Sequence, residues 1–465
     1  MSRRAFAGTL AAAATQVSCT EAPRRPNLLF VFSDQHRACS MPGEPYNDAD
    51  APNLARLASE GMTFRNCVSN YPVCSPYRGI LLSGRWPYQT GIIDNNFPLR
   101  ESEMSLGETF RSSGYRTGYV GKWHLDATTP EGLRPEGDAR HGFDFWRAWY
   151  RTSRHMQGSY AFDPHNGKRI EPKGYNATLM TDQAIEFVRK ANAEQPWMLV
   201  VSVNPPHPAF SDAPPELMQR YRDARLRLRP NGTEKLGGGH AGHKGLPVRE
   251  NLVGYYAHIT AVDAEIGRLL DVLDETGAAG DTIVVYTSDH GEMMGSHNWT
   301  GKRLPYEESA KVPFVARFPG RIPAARTTDA LLGAIDLYPT LCGLAGVAPP
   351  EHCAGRDLSA ALRGEQYRRP EHAFLLHQNV KGVDVPIYRG LRTPRYTYAA
   401  GERGRWLLFD DQEDPYQRHN LAGDPTRTGL VRELEGEILE SLEVTGDPYP
   451  FAERVRAHAS AAGRI

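Results

Sequence analysis

Four stretches of this chain follow one pattern, an apolar run that stops abruptly at polar residues. Asn27-Leu28-Leu29-Phe30-Val31-Phe32 leads into Ser33-Asp34-Gln35-His36, and Gly118-Tyr119-Val120 leads into Gly121-Lys122-Trp123-His124. Trp197-Met198-Leu199-Val200-Val201-Ser202-Val203 leads into Asn204-Pro205-Pro206-His207, and Thr282-Ile283-Val284-Val285-Tyr286-Thr287 leads into Ser288-Asp289-His290-Gly291. Continuous apolar runs of this length fit strands buried on both faces of a parallel sheet. Ligands of open α/β sheets bind beyond the carboxyl ends of the strands, so the four polar endings are expected to converge on one crevice. Helical periodicity between the runs completes an α/β pattern, over Asn53 to Gly61, Thr181 to Ala191 and Tyr255 to Glu275.

Residues 211–250 interrupt this order with Pro, Gly and charge, including Gly237-Gly238-Gly239 and the histidines His240 and His243. Aperiodic stretches of that length are functional or disordered, and a substrate-facing lid is one expectation. From about residue 376 the texture changes again. Ile387 to Arg392, Arg395 to Tyr398 and Trp406 to Asp410 read as short strands of a small antiparallel sheet, and Leu430, Leu434, Ile438 and Leu442 mark a final helix. The expected organisation is an N-terminal segment 1–24, a catalytic domain 25–375 and a C-terminal α+β subdomain 376–465.

A net charge of −1 over 465 residues gives no basic field for nucleic acid, so an anionic substrate must be held by local charges. The six cysteines, Cys19, Cys39, Cys67, Cys74, Cys342 and Cys353, show no Cys-x-x-Cys spacing, which indicates neither a disulfide scaffold nor a zinc cluster. Ser2-Arg3-Arg4-Ala5-Phe6 and the short apolar run through Ala14 resemble a twin-arginine export signal, pointing to a periplasmic or extracellular protein. Cys19 after Val17-Ser18 suggests a lipoprotein site, although Gln16 stands where an apolar residue is expected. No later segment is apolar for the roughly 18 residues of a membrane span.

The chemistry centres on Cys74-Ser75-Pro76-Tyr77-Arg78-Gly79, followed by Leu81-Leu82-Ser83-Gly84-Arg85. Pro76 suits the first turn of a helix, where its missing N–H costs little. The motif resembles the signature of type I sulfatases, members of the alkaline phosphatase superfamily. That resemblance implies an alkaline phosphatase-like sandwich with a large, mostly parallel sheet flanked by helices. It also implies that a formylglycine-generating enzyme oxidises Cys74 to formylglycine. The hydrated aldehyde carries two hydroxyls, one to attack sulfur and one to expel sulfate as the aldehyde re-forms. A metal and a guanidinium, here Arg78, would favour the ionised nucleophile.

Other motifs extend the resemblance over nearly the whole chain. Gly121-Lys122-Trp123-His124 is similar to the family's G-K-W-H run, Pro205-Pro206-His207-Pro208 to its P-P-H-x-P run, and Lys302 follows Gly301 as the family's site lysine does. Leu408-Phe409-Asp410, Asp414-Pro415-Tyr416 and Asn420-Leu421-Ala422 resemble its C-terminal run. The resemblance assigns Lys302 and His207 to the leaving group and sulfate, and Lys122 and His124 to the nucleophile and sulfate. Arg303 and His297 are neighbouring candidates, Arg303 for substrate binding.

Asp34 and Asp289 end separate strands, the arrangement in which α/β enzymes hold a hard divalent cation. By the same resemblance the ligands are Asp34, Gln35, Asp289, His290 and residue 74. The family usually has two consecutive acids at the first position and Asp-Asn at the second; here they are Asp34-Gln35 and Asp289-His290. Calcium is the first expectation, and the imidazole makes manganese, or magnesium, an alternative. The implied activity is hydrolysis of a sulfate ester of a small molecule or saccharide. The altered ligand pairs raise a phosphonate monoester or phosphodiester hydrolase as an alternative. An unoxidised Cys74 would leave a non-catalytic glycan-binding protein.

Overall fold

The computed structural model describes residues 24–126, 137–149, 154–156, 161–162, 169–171, 173–192, 194–234, 236, 238–239, 247–378 and 385–462. The main sheet is mixed and eleven-stranded. Its principal strands are β1 (Asn27–Asp34), β2 (Met62–Val68), β3 (Arg116–Lys122), β4 (Phe145–Trp149), β5 (Trp197–Pro206), β6 (Thr282–Ser288) and β7 (Phe314–Arg317). They stand side by side in the order β2-β7-β6-β1-β5-β3-β4.

The four apolar runs are therefore contiguous neighbours, β6-β1-β5-β3, and all three pairings are parallel. Phe30 lies opposite Val200 of β5 and Val285 of β6. Every residue of β1 is buried, because helices cover both faces of the sheet. Alternate residues serve opposite cores: Leu28, Phe30 and Phe32 join one cluster, Leu29 and Val31 the other.

Among the described residues the longer helices include α1 (Pro52–Glu60), α2 (Cys74–Ser83), α3 (Asn176–Arg189), α4 (Val248–Glu275) and α5 (Ala334–Ala345) around this sheet, and α6 (Thr428–Thr445) in the C-terminal region. α2 and α5 pack on the Phe30 face, while α1, α3 and α4 pack on the Leu29 face. Two helices start earlier than periodicity predicts, α3 at Asn176 and α4 at Val248. The first turns of α4 bury Asn251 and Gly254 alongside Val248, Leu252 and Val253; a Cβ on Gly254 would come within 1.8 Å of the Phe210 carbonyl oxygen. Close backbone approach thus replaces the apolar signal there.

The interval 211–250 is not wholly aperiodic, since Pro215–Arg222 is helical and buries Met218 and Tyr221. Amphipathic spacing over only two turns is too short to stand out in the sequence. His240 and His243 lie outside the described residues, as do Cys19 and the export-signal segment. The described cysteines, Cys39, Cys67, Cys74, Cys342 and Cys353, are all free thiols. Among the described residues no helix is long and apolar enough to cross a membrane.

The C-terminal region forms an antiparallel sheet of β8 (Ala373–His377), β9 (Tyr388–Arg392), β10 (Tyr396–Gly401) and β11 (Gly404–Asp410). A boundary drawn at residue 376 falls inside β8. Asn70 stitches this sheet to the main body, donating to the Phe374 carbonyl at 2.6 Å and accepting from the Leu376 N–H at 2.9 Å. Beyond α6 a further helix, α7 (Phe451–Ala462), follows.

Candidate active site

Cys74 is the first residue of α2 and is buried, with Val73 in extended conformation before it. Its sulfur therefore sits at the end of the helix where unpaired N–H groups and the macrodipole favour negative charge. Arg78 lies one turn on, on the same face. Its guanidinium donates to the Lys122 carbonyl at 2.7 Å, Ser202 Oγ at 2.6 Å, Asp34 at 3.2 Å and Asp289 at 3.3 Å, and it lies 4.8 Å from the Phe32 ring centroid. One side chain of α2 thus ties the carboxyl ends of β1, β3 and β6 to the middle of β5.

The β1 and β6 endings supply a compact donor set. One ligand atom each from Asp34, Cys74, Asp289 and His290 lies within 4.8 Å of all the others, and all four residues are buried. His290 Nε2 is 3.2 Å from Cys74 Sγ, 3.6 Å from Asp34 and 3.4 Å from Asp289. Its Nδ1 donates to the Gly291 carbonyl at 3.0 Å, leaving the Nε2 lone pair for the cluster.

The electrostatics of these groups fit a bound cation. Burial pushes Asp289 up to about 6, reinforced by the nearby Asp34 charge. Burial acts on Asp34 in the same direction, but Lys122, His207, Lys302 and His290 outweigh it and hold the carboxyl well below its usual range. Burial also lowers His290 to about 4, keeping it a neutral donor. Two buried carboxylates this close resist ionising together unless positive charge is supplied. Two acids, a neutral imidazole and residue 74 match a divalent ion that accepts oxygen and nitrogen.

Two ammonium groups face residue 74, one from the end of β3 and one from the loop around Gly301. Lys302 Nζ lies 3.0 Å from Cys74 Sγ and 3.1 Å from Gln35 Oε1. Lys122 Nζ lies 3.8 Å from the sulfur and donates to Asp34 at 2.5 Å. Lys122 is aimed by Gly121, whose φ of +104° places the absent Cβ direction 2.0 Å from the Ser202 carbonyl oxygen, so only glycine permits β3 to approach β5 there. Burial opposes the Lys302 charge, but Cys74, Asp34 and Asp289 overcome it and raise its pKa, so the ammonium persists.

His207 follows β5 and is half-buried, with Nδ1 donating to the Pro208 carbonyl at 2.6 Å. Burial holds its imidazole well below the usual range, with Asp34, Lys122 and Lys302 within electrostatic reach. The His124 carbonyl accepts from Ser75 Oγ at 2.6 Å, which places residue 124 beside the first turn of α2. Gln35, His124 and Arg303 all have positive φ, at 75°, 56° and 84°. Left-handed backbone at non-glycine residues clusters at functional sites.

Arg303 and His297 are directed elsewhere. The Arg303 guanidinium donates to Asp94 at 2.7 Å and to His377 Nε2 at 3.4 Å, toward the C-terminal sheet. His297 stacks on Tyr306 with ring centroids 3.9 Å apart and accepts from Asn231 at 3.1 Å. A separate cavity of about 820 Å³ near Cys39, Glu308 and Tyr416 contains none of the site residues, and its charges are paired internally, as Arg229–Glu308 and Arg392–Glu307.

The structure adds residues that the sequence did not single out. Ser202 receives Arg78 from within an apolar strand. Glu292 sits beneath Gln35, and its position in Asp289-His290-Gly291-Glu292 was the available signal. His155 Nε2 donates to the His207 carbonyl at 2.8 Å and His258 Nε2 donates to the Ala209 carbonyl at 3.3 Å, so two buried imidazoles hold the backbone that carries His207.

A buried cysteine at a helix terminus, four side chains that could hold a metal ion at the ends of parallel strands and two facing lysines lie together on an alkaline phosphatase-like α/β scaffold. The sequence matches the Sulfatase family over residues 26–347 and the C-terminal region of N-sulphoglucosamine sulphohydrolase over residues 295–444. An ulvan-active sulfatase of Formosa agariphila is 34% identical over 436 residues, spanning 92% of this chain and 83% of that protein. An endo-4-O-sulfatase of Bacteroides thetaiotaomicron is 30% identical, spanning 94% of this chain and 95% of that protein. A solved structure from glycosaminoglycan metabolism by Bacteroides thetaiotaomicron superimposes with a TM-score of 0.82 at 28% identity, covering 93% of this chain and 99% of that one. The chain belongs to the sulfatase family and is a sulfuric ester hydrolase.

Proposed function

We propose that the protein is an exported, formylglycine-dependent sulfatase that removes sulfate from a carbohydrate. The observation that carries this reading is the juxtaposition at residue 74, where Lys302 and Lys122 approach on one side and the Asp34–Asp289–His290 set on the other. The carbohydrate assignment rests on the names of the ulvan-active and endo-4-O-sulfatase relatives.

Asp34, Asp289, His290 and residue 74 would hold a divalent ion, calcium first, which would supply Lewis-acid stabilisation of negative charge there. Formylglycine made from Cys74 would supply, as its hydrate, one hydroxyl to attack sulfur and a second to expel sulfate. Arg78 keeps the two aspartates and residue 74 in register. Lys122 neutralises Asp34 and faces the equatorial oxygens of the sulfuryl group, where negative charge grows in the transition state. Lys302, held as an ammonium, passes a proton to the departing alkoxide, and His207 and His124 contact the sulfate.

The altered pairs Asp34-Gln35 and Asp289-His290 favour one second reading, a phosphonate monoester or phosphodiester hydrolase. Protein co-produced with the formylglycine-generating enzyme separates these readings. The intact mass of the residue-74 peptide is expected to report the aldehyde, and initial rates are expected to favour an aryl sulfate over an aryl phosphonate monoester. A large preference for the phosphonate overturns the sulfatase reading; an unmodified thiol with no turnover identifies a binding protein. Defined sulfated saccharides then identify the sugar and position.

A further inference from the structure

Gln35 is held at every polar group. Its backbone N–H donates to Asp289 Oδ1 at 3.0 Å and its backbone carbonyl accepts from Tyr255 at 2.9 Å, while its side-chain Oε1 accepts from Lys302 at 3.1 Å and its Nε2 donates to Glu292 Oε2. Glu292 is fully buried, and its other oxygen accepts the Met294 N–H at 2.9 Å and the Gly301 N–H at 2.7 Å. Gly301 is the residue before Lys302, so one carboxylate contacts both partners of the Gln35–Lys302 hydrogen bond, one through its side chain and the other through its loop.

We propose that Glu292 is a positioning residue that fixes the Gln35 amide with its oxygen, rather than its NH2, toward Lys302 and holds the loop that delivers the lysine to residue 74. An amide side chain has an acceptor end and a donor end, and only its neighbours decide which faces the site. A carboxylate accepts only, so Glu292 demands the NH2 end of Gln35 and leaves the oxygen for the ammonium. An amide at position 292 reverses this. Its oxygen stays on the Met294 and Gly301 N–H groups, its NH2 then faces Gln35, and Gln35 turns its own oxygen inward. The NH2 of Gln35 now confronts the Lys302 ammonium, donor against donor, in a buried site where unsatisfied donors are costly.

This inference rests on the reading of residue 74 as the nucleophile, which wild-type turnover and the mass of the residue-74 peptide test independently. Aryl sulfate kinetics on fully modified protein test the inference itself through E292Q, Q35A, E292Q/Q35A and the swap E292Q/Q35E, with thermal melting confirming that each folds. E292Q is expected to lower kcat by roughly 10- to 100-fold, the usual range for a residue acting through a site ligand or donor, with a smaller change in KM. In the Q35A background E292Q is expected to add no further loss, because the backbone contacts survive and no amide remains to turn. The swap is expected to recover most of the E292Q loss, since a carboxylate at position 35 accepts both from the new amide at position 292 and from Lys302. An E292Q loss of equal size in the Q35A background, a swap no better than E292Q, or an E292Q enzyme with wild-type kcat overturns the proposal.

Discussion

Lys302 stands closer to the sulfur of Cys74 than Lys122 does, 3.0 Å against 3.8 Å, and Lys122 instead gives its 2.5 Å hydrogen bond to Asp34. Under the proposed function the two ammonium groups divide the work: Lys302, also held by Gln35, exchanges a proton with a group bound at residue 74, whereas Lys122 stays on the Asp34 carboxylate.

This division sets the first prediction. Lys302→Ala is expected to lower kcat on a sulfated saccharide by about 10²- to 10⁴-fold, the range for removing a general acid. On a nitrophenyl sulfate, whose phenolate departs without a proton, the loss is expected to be much smaller. Lys122→Ala is expected to slow both substrates alike. Steady-state kinetics with the two leaving groups decide it, and equal losses for Lys302→Ala contradict the proton-transfer role.

The second prediction concerns the cation. With Asp34 and Asp289 facing each other in a buried cluster, a divalent ion that binds only the folded state stabilises it by mass action, about 2.7 kcal/mol at a hundredfold excess over Kd. Chelation is expected to lower the melting temperature, and added calcium or manganese to restore it. In Asp289→Asn the response is expected to disappear. Metal-free protein whose melting temperature does not rise on adding calcium or manganese contradicts the site.

A third prediction follows from the loop that carries His207. His155 and His258 are neutral donors to its carbonyls, and each has its other nitrogen engaged: Asn176 faces His155 Nδ1 at 3.3 Å and Tyr175 faces His258 Nδ1 at 2.8 Å. His258→Phe keeps the bulk and removes the donor. Because small misplacements of catalytic groups cost on the order of 10²-fold in rate, kcat is expected to fall substantially while the calcium-induced melting shift stays intact. An unchanged kcat contradicts the role of His258 in holding this loop.

The parallel centre of the fold was legible because buried parallel strands need unbroken apolar runs, and four such runs occur. The candidate cluster was legible where a chemistry-bearing residue ends or directly follows a strand, as Asp34, Lys122, His207 and Asp289 do. Legibility failed where a polar residue acts from inside an element. Ser202 lies within an apolar strand, His155 and His258 are buried donors from separate segments, and Glu292 touches Gln35 across 257 residues of sequence. The early start of α4 was hidden because Asn251 and Gly254 occupy buried positions that a periodicity reading assigns to apolar side chains. Arg303, adjacent to Lys302 in sequence, points toward Asp94 because its positive φ turns the chain between the two residues.

The last prediction concerns acid stability. His377 is buried where the C-terminal sheet meets the main body, with Nδ1 donating to the Pro386 carbonyl at 3.2 Å and Nε2 accepting from Arg303 at 3.4 Å. Burial first, and then the Arg303 charge, lowers its pKa to about 3 from the ordinary value of 6.5. A histidine whose pKa is lower in the folded state binds its proton first in the unfolded state. Its contribution is therefore complete above pH 6.5 and is lost as pH falls toward about 3. Between pH 7.5 and pH 5 this one residue accounts for about 2 kcal/mol of lost stability, at about 1.4 kcal/mol per pH unit below 6.5. His377→Gln, which cannot titrate, is expected to be less stable than wild type at pH 7.5 but to lose about 2 kcal/mol less on moving to pH 5. Urea unfolding of both proteins at the two pH values measures the difference, and equal pH dependence in the two contradicts a buried, neutral His377.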